Sequence, residues 1–360
     1  MSRLSQIFAA GAPSAPGVGE ALCVWQNGVE IFHATAGEAD VDTPWTDDTL
    51  TPIFSATKAL SAACLLLALD ERGLTPELEV GELWPRFPAP HCTVAHVLSH
   101  QAGLAAWAQD APLDDPVACC AAIESSSPAW APPQHGYHPH TFGPIVEQLM
   151  LALTGERIGD YWETRVRRPL GLAAYIGLPE SELSRVARLR LPRIQAPLPD
   201  TEFYRLYFAP GSPVHRAFHC VTGLSSVREM NTLRGLQCAC PARGGVATAR
   251  GLCMAYQALL GLLPGSPFTP RVREWLSTPR CTGTDLPLRC YTAFTCGAMC
   301  APAPLFGRGG FGHPGFGGFH AFAEPVTGCS LAYTPNLLQP SPLPGKRIQA
   351  LIEGLQETLM

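Results

Sequence analysis

A hydroxyl and an amine stand three residues apart in Phe54-Ser55-Ala56-Thr57-Lys58. Where such a stretch opens a helix, positions i and i+3 share a face, so the Ser55 hydroxyl and the Lys58 amine can meet. An ammonium held out of water loses affinity for its proton, and the amine it becomes can accept the proton of a serine as that serine attacks an electrophile. The chemistry such a pair supports is covalent, nucleophilic catalysis. Taken alone, S-x-x-K also fits a helix-capping Ser followed by a solvated Lys, so its meaning depends on what positions it and what accompanies it.

The residues behind the pair favour a rigid mount. Ala59 to Leu69 are nearly all strong helix formers with no polar face, which predicts a helix buried on every side. Earlier, Ala21–Trp25 and Val29–Ala34 are β-prone runs separated by Gln26-Asn27-Gly28, a strong hairpin signal. Gly37 to Leu50 is polar and reads as a connection. The middle of the chain is helical: Thr93–Leu104 predicts a short helix with His100 in its last turn and Gly103 as its cap, His100 serving to bond backbone groups. Further helices are expected at Pro116–Ser125, at Thr141–Leu153 closed by Thr154-Gly155, and at Tyr161–Arg168 ended by Pro169. Residues 173–240 carry no sustained period and predict loops and short helices that form one wall of a pocket. Gly244–Arg250 introduces a helix to about Leu263. Strands return at Cys290–Phe294, Phe319–Glu324 and Cys329–Thr334. Ile348, Leu351, Ile352, Leu355 and Leu359 mark one face of a final helix. Strands at both ends and helices between them predict an α+β fold, one antiparallel sheet assembled from both chain ends. The single domain spans 1–360, with a sheet lobe of about 1–70 and 241–360 and a helix-rich lobe of about 71–240 around a cleft.

Composition excludes several classes. The 360 residues are 46% hydrophobic and 15% charged, and Pro 36 and Gly 34 stay below the level of low-complexity chains. A net charge of −5 without a strong basic run argues against a nucleic-acid partner. No segment is apolar over the ~18 residues needed to cross a bilayer, and the opening residues are too short an apolar run for a signal peptide, which together predict a cytoplasmic protein. The 14 Cys are then expected to be reduced and mostly buried. Neither Cys119-Cys120 nor Cys238-Ala239-Cys240 has ordinary zinc spacing, and His135, His138, His140, His215 and His219 are expected to be surface or hydrogen-bonding side chains. No metal or cofactor is expected; the sequence leaves the oligomeric state open.

The order of motifs resembles the serine β-lactamase and penicillin-binding-protein superfamily, in its class C β-lactamase-like branch that includes the family VIII carboxylesterases. Phe54–Lys58 resembles the nucleophile motif. Thr93–Leu104 is similar to a helix that follows it, Gly136-Tyr137-His138-Pro139-His140 resembles the Y-x-N motif, and Gly312-His313-Pro314-Gly315-Phe316 resembles the motif written K-T-G in lactamases and H-x-G in many esterase relatives. The likeness runs in one order over about residues 21–336. It implies Ser55 as the acylated nucleophile and Lys58 or Tyr137 as its base, Tyr137 through a phenol made more acidic by Lys58. The backbone N–H groups of Ser55 and Phe316 would form the oxyanion hole, with His313 and Gly315 beside the substrate. Two departures bear on the substrate. Pro139 replaces the amide of Y-x-N. His313, with a pKa expected near the ordinary ~6.5 and so a cation only in mild acid, replaces the Lys of K-T-G, so that a carboxylated lactam loses partners and a neutral ester loses little. The expected function is hydrolysis of small carboxylic esters. An acyltransferase, a β-lactamase or D-amino-acid peptidase, and a non-catalytic binding module on the same fold are the alternatives.

Overall fold

The computed structural model describes residues 3–192, 198–302, 305–339, 341 and 343–359. Asn27 and Gly28 both take positive φ, 51° and 79°, the turn whose twist matches that of paired strands. The strands Gly19–Gln26 and Val29–Asp40 therefore close antiparallel with Gln26 opposite Val29. On its other edge Gly19–Gln26 pairs with Cys329–Pro335 from the far end of the chain, Glu20 opposite Pro335. The sheet has nine strands in the order Thr43–Pro44, Val29–Asp40, Gly19–Gln26, Cys329–Pro335, His320–Glu324, Phe311–Pro314, Met299–Ala301, Tyr291–Phe294 and Cys281–Thr284, with every pairing antiparallel.

Period-two alternation sorts the central strands into two faces. Ala21, Cys23, Ala321, Ala323 and Ala332 face the helix Ala249–Leu259, where their small side chains let helix and sheet approach. Leu22, Val24, Phe322, Leu331 and Tyr333 face the opposite way, onto Leu4 and Phe8 of the helix Arg3–Ala10 and onto Ile348, Leu351, Ile352 and Leu355 of the helix Lys346–Leu359. The helix Thr57–Glu71 is buried without interruption from Thr57 to Leu69, as its lack of a polar face predicts.

Some predicted elements differ. The connection expected from Gly37 is strand as far as Asp40, and a turn with Asp42 at φ 59° adds the short edge strand Thr43–Pro44. The helix after Thr93 is only Val94–Leu98, opened by a reciprocal cap between Thr93 and His96. His100 lies beyond its end at φ 63° and not in its last turn. The helix expected at Tyr161–Arg168 begins at Ile158, widens into a π turn over Glu163–Arg167 and ends at Gly171 in the left-handed conformation, with Pro169 inside the final turn. Within 173–240, the short helices Glu202–Tyr207, Pro213–His219, Val227–Met230 and Leu233–Gln237 each start where a Ser or Thr side chain accepts a backbone N–H. A small sheet joins Thr51–Pro52, Gly245–Ala247 and Ala174–Ile176, and the chain passes from Thr51–Pro52 directly into the Ser55 turn.

Candidate active site

Ser55 sits in a single tight turn, Phe54–Ala56, that runs straight into the buried helix. Phe54 takes φ 49°, a conformation that costs about 1–3 kcal/mol for a non-glycine residue and persists only where its surroundings enforce it. The surroundings do so. Ile53 N–H donates to Gly245 O (2.9 Å), Gly245 N–H donates to Thr57 Oγ1 (2.8 Å), and Thr57 Oγ1 donates to Phe54 O. The turn is thus clamped to the small sheet on both sides of Ser55, whose own side chain is partly exposed.

Lys58 is 0% exposed. Its Nζ contacts Ser55 Oγ (3.1 Å), Pro139 O (2.9 Å) and Ala242 O (3.0 Å). Burial brings its pKa down to about 7, with Cys240 opposing the shift and the Arg243 cation adding a lesser push in the same direction as burial. A neutral amine fits this cage: two N–H bonds go to the two carbonyls, and the lone pair remains for the Ser55 hydroxyl proton. The segment resembling Y-x-N therefore contributes its Pro139 carbonyl to Lys58.

Tyr137 OH donates to Ser55 Oγ across 2.8 Å. Its ring is stacked with Phe294 at 6.4 Å and lies 4.9 Å from Lys58 Nζ. The backbone N–H of Tyr137 donates to Asp285 Oδ2 (3.0 Å), and Leu288 N–H donates to Oδ1 of the same carboxyl (2.7 Å). Burial raises the phenol pKa, and the Ser55 hydrogen bond and the Arg243 charge only partly oppose it. The more acidic Tyr137 expected from Lys58 is corrected here: the cost of burying a phenolate outweighs the influences that would ionise the phenol.

His313 is 1% exposed. Its Nδ1–H donates to Pro314 O (2.8 Å), which leaves Nε2 buried with no hydrogen-bond partner among the described residues. Its pKa falls to about 3, chiefly through burial and secondly through Lys58. An imidazole near its ordinary pKa, available as a cation in mild acid, was the expectation; the enclosed ring stays neutral instead. Gly315 N–H donates to Phe319 O (2.8 Å), so it is not free for an oxyanion. What Gly315 contributes is closeness, since a Cβ there would stand 2.3 Å from Ile53 O. Phe316 follows in the loop, 40% exposed, its ring edge-on to Phe54 at 5.8 Å.

The remaining histidines bond to their neighbours as expected. His138 Nε2 accepts from Leu104 N–H and His138 Nδ1 donates to Gly136 O, while His100 Nδ1 accepts from His138 N–H. His135 pairs with Thr292 Oγ1, and His140, His215 and His219 donate to backbone carbonyls. Of the 14 free Cys, Cys120, Cys238, Cys290 and Cys300 are partly buried and the other ten buried. Among the described residues no group of His, Cys, Asp or Glu side chains is disposed to hold a metal ion.

Sequence reasoning missed three residues of this site. Asp285 fixes the Tyr137 backbone, its carboxyl pKa raised to about 7 by burial. Thr57 clamps the turn. Arg243 places its guanidinium 5.9 Å from the Phe54 ring. Only Thr57 left a trace in the sequence, as a hydroxyl inside the Ser55 motif.

A clamped serine between a buried amine and a phenol, on an antiparallel sheet closed from both chain ends, is the construction of serine hydrolases with the β-lactamase fold. The chain belongs to the Beta-lactamase family, whose model matches residues 6–356. It is similar to Esterase/beta-lactamase LipL of Mycobacterium tuberculosis (strain ATCC 25618 / H37Rv), with 31% identity over 348 residues that cover 92% of this chain and 80% of that protein. Among solved structures it resembles a penicillin-binding protein homolog from Caulobacter crescentus, with TM-score 0.88, 29% identity and coverage of 99% and 96% of the two chains. It also resembles a family VIII carboxylesterase, with TM-score 0.85, 25% identity and coverage of 99% and 96%. The chain is a serine hydrolase of this fold. Among the described residues no helix is long and apolar enough to cross a membrane.

Proposed function

We propose that the protein hydrolyses small carboxylic esters through an acyl-enzyme on Ser55. The observation that carries this reading is the position of Ser55 Oγ, 3.1 Å from a buried amine and 2.8 Å from a phenol. Neutral Lys58 takes the hydroxyl proton as Oγ attacks the ester carbonyl. The oxyanion is met by the N–H groups of Ser55 and Phe316. Collapse expels the alkoxide, which receives its proton from Tyr137 OH, and Lys58 returns a proton to the phenolate. Water then attacks the acyl-enzyme with Lys58 again as base; the ester bond to Ser55 Oγ breaks, Lys58 passes its proton to that oxygen, and the acid leaves with the free serine and neutral amine restored. Of the proposed machinery, only Tyr137 comes from the helix-rich lobe of about 71–240, so a substrate would lie in the cleft between the two lobes. Esterase naming among the similar proteins supports the substrate class. The test is a panel of p-nitrophenyl esters alongside nitrocefin, with the acyl-enzyme read by intact mass. Ester turnover well above nitrocefin turnover is expected, and the reverse order would favour a β-lactamase.

A further inference from the structure

We infer that Arg243 recognises a carboxylate on the substrate, so that the preferred esters are anionic; this rests on the ester-hydrolase reading and specifies its substrate. Arg243 directly follows Ala242, whose carbonyl accepts from Lys58 Nζ (3.0 Å). Its backbone is held in a tight turn in which Arg243 N–H and Gly244 N–H both donate to Cys240 O (3.0 and 2.7 Å). A Cβ on Gly244 would lie 2.0 Å from Cys238 O, so the turn packs too closely for any side chain there. The guanidinium stands over Phe54, the residue before Ser55, and Phe54 in turn packs on Phe316. The cation is therefore mounted over the residue that precedes the nucleophile.

Arg243 has no ion-pair partner among the described residues. Arg157, Arg167 and Arg234, on elements nearby, are neutralised by Glu147, Glu163 and Asp114. The acid whose field reaches Arg243 is Glu229, and that carboxylate is occupied by Leu224 N–H, Ser225 N–H and the N–H and hydroxyl of Ser226. A guanidinium keeps its proton in any protein setting, and holding it partly out of water without a counter-charge is costly. A carboxylate brought in by the substrate removes that cost and can be gripped by two parallel N–H donors. Neutral, enclosed His313 cannot take this role. Recognition of a carboxylate departs from the selectivity for neutral esters that the resemblance implies through His313 and Pro139, and the binding comparison below decides between the two.

The test is equilibrium binding to the Ser55→Ala protein, which needs no turnover. Titration calorimetry would compare monomethyl glutarate with dimethyl glutarate. The charged hemiester should bind at least tenfold more tightly, and adding Arg243→Gln should bring the two within about threefold. Arg243→Lys keeps the charge but loses the two-point grip, so it should retain only part of the preference and serves as the readout if the Gln protein does not fold. Equal binding of both compounds to the Ser55→Ala protein overturns the inference, as does a preference that survives Arg243→Gln or is undiminished in Arg243→Lys. Absence of ester turnover in the unsubstituted protein would instead sink the ester-hydrolase reading, and the binding comparison would still stand.

Discussion

Lys58 Nζ lies 3.1 Å from Ser55 Oγ while two backbone carbonyls from distant segments, Pro139 and Ala242, take up its remaining hydrogen-bonding capacity. The cage makes the protonation state of Lys58 the natural control of activity. With the pKa lowered to about 7 by burial, the amine is half neutral at that pH and loses about tenfold of its neutral fraction for each unit below it. The expected kcat/KM profile rises with pH through an apparent pKa near 7. Lys58→Met should lower kcat/KM by at least about 10²-fold and abolish that limb. A limb unchanged in Lys58→Met would assign it to another group.

Tyr137→Phe removes the hydroxyl that donates to Ser55 Oγ and leaves the ring packing on Phe294 and His100 in place. The fold should hold, and kcat should fall by about 10²–10⁴-fold. Steady-state kinetics with a p-nitrophenyl ester checks this. A variant with full turnover would reduce Tyr137 to a packed aromatic.

Gly315→Ala tests how closely the third motif must approach the serine turn. The new methyl would meet Ile53 O at 2.3 Å and Phe319 Cβ at 2.7 Å, both fixed parts of the structure. We expect a loss of about 1–3 kcal/mol in stability, as for other overpacked sites, together with at least a tenfold fall in kcat/KM. Thermal melting and kinetics measure the two effects, and a variant equal to the parent in both would show that the approach has slack.

Five enclosed histidines make the fold sensitive to acid. Burial lowers His138 and His320 to about 4 and His140 and His313 to about 3, and it holds His100 well below its usual range. The unfolded chain protonates each of them near its ordinary pKa of ~6.5, so below that pH unfolding takes up protons. Stability is then at its fullest above ~6.5 and declines as pH falls toward about 4, each histidine contributing up to about 1.4 kcal/mol per pH unit. Denaturant unfolding at pH 7.5 and pH 5 should show a clear drop, and His313→Gln should make it shallower. Equal stability at both pH values would mean that these rings are protonated in the folded protein.

The parts of the fold legible in the sequence are those fixed by local chemistry. Asn27-Gly28 dictated the hairpin turn, the apolar spacing from Ile348 to Leu355 dictated the closing helix, and the absence of any polar residue from Ala62 to Leu69 dictated burial. Strands Met299–Ala301 and Phe311–Pro314 were not legible, because Cys, Gly, His and Pro carry little β signal and only neighbouring strands hold them extended. The meeting of Ser55 with Tyr137, 82 positions apart, followed from motif order and not from spacing. Asp285 and Arg243 could not be read at all. Each is a lone charged residue in a stretch broken by Pro and Gly, where the usual reading is a solvated side chain, and their partial or full enclosure is a product of tertiary packing. The same enclosure sets the pKa of His313 and Tyr137 and so overturned both expectations about their ionisation.

The proposed reaction requires Ser55 to carry the acyl group. Rapid-quench intact-mass analysis of the protein mixed with p-nitrophenyl butyrate, followed by peptide mapping, tests it most directly. One butyryl group per chain on the peptide containing Ser55, and none in Ser55→Ala, is the predicted result. Turnover with no adduct at any time, or an adduct that persists in Ser55→Ala, would contradict it.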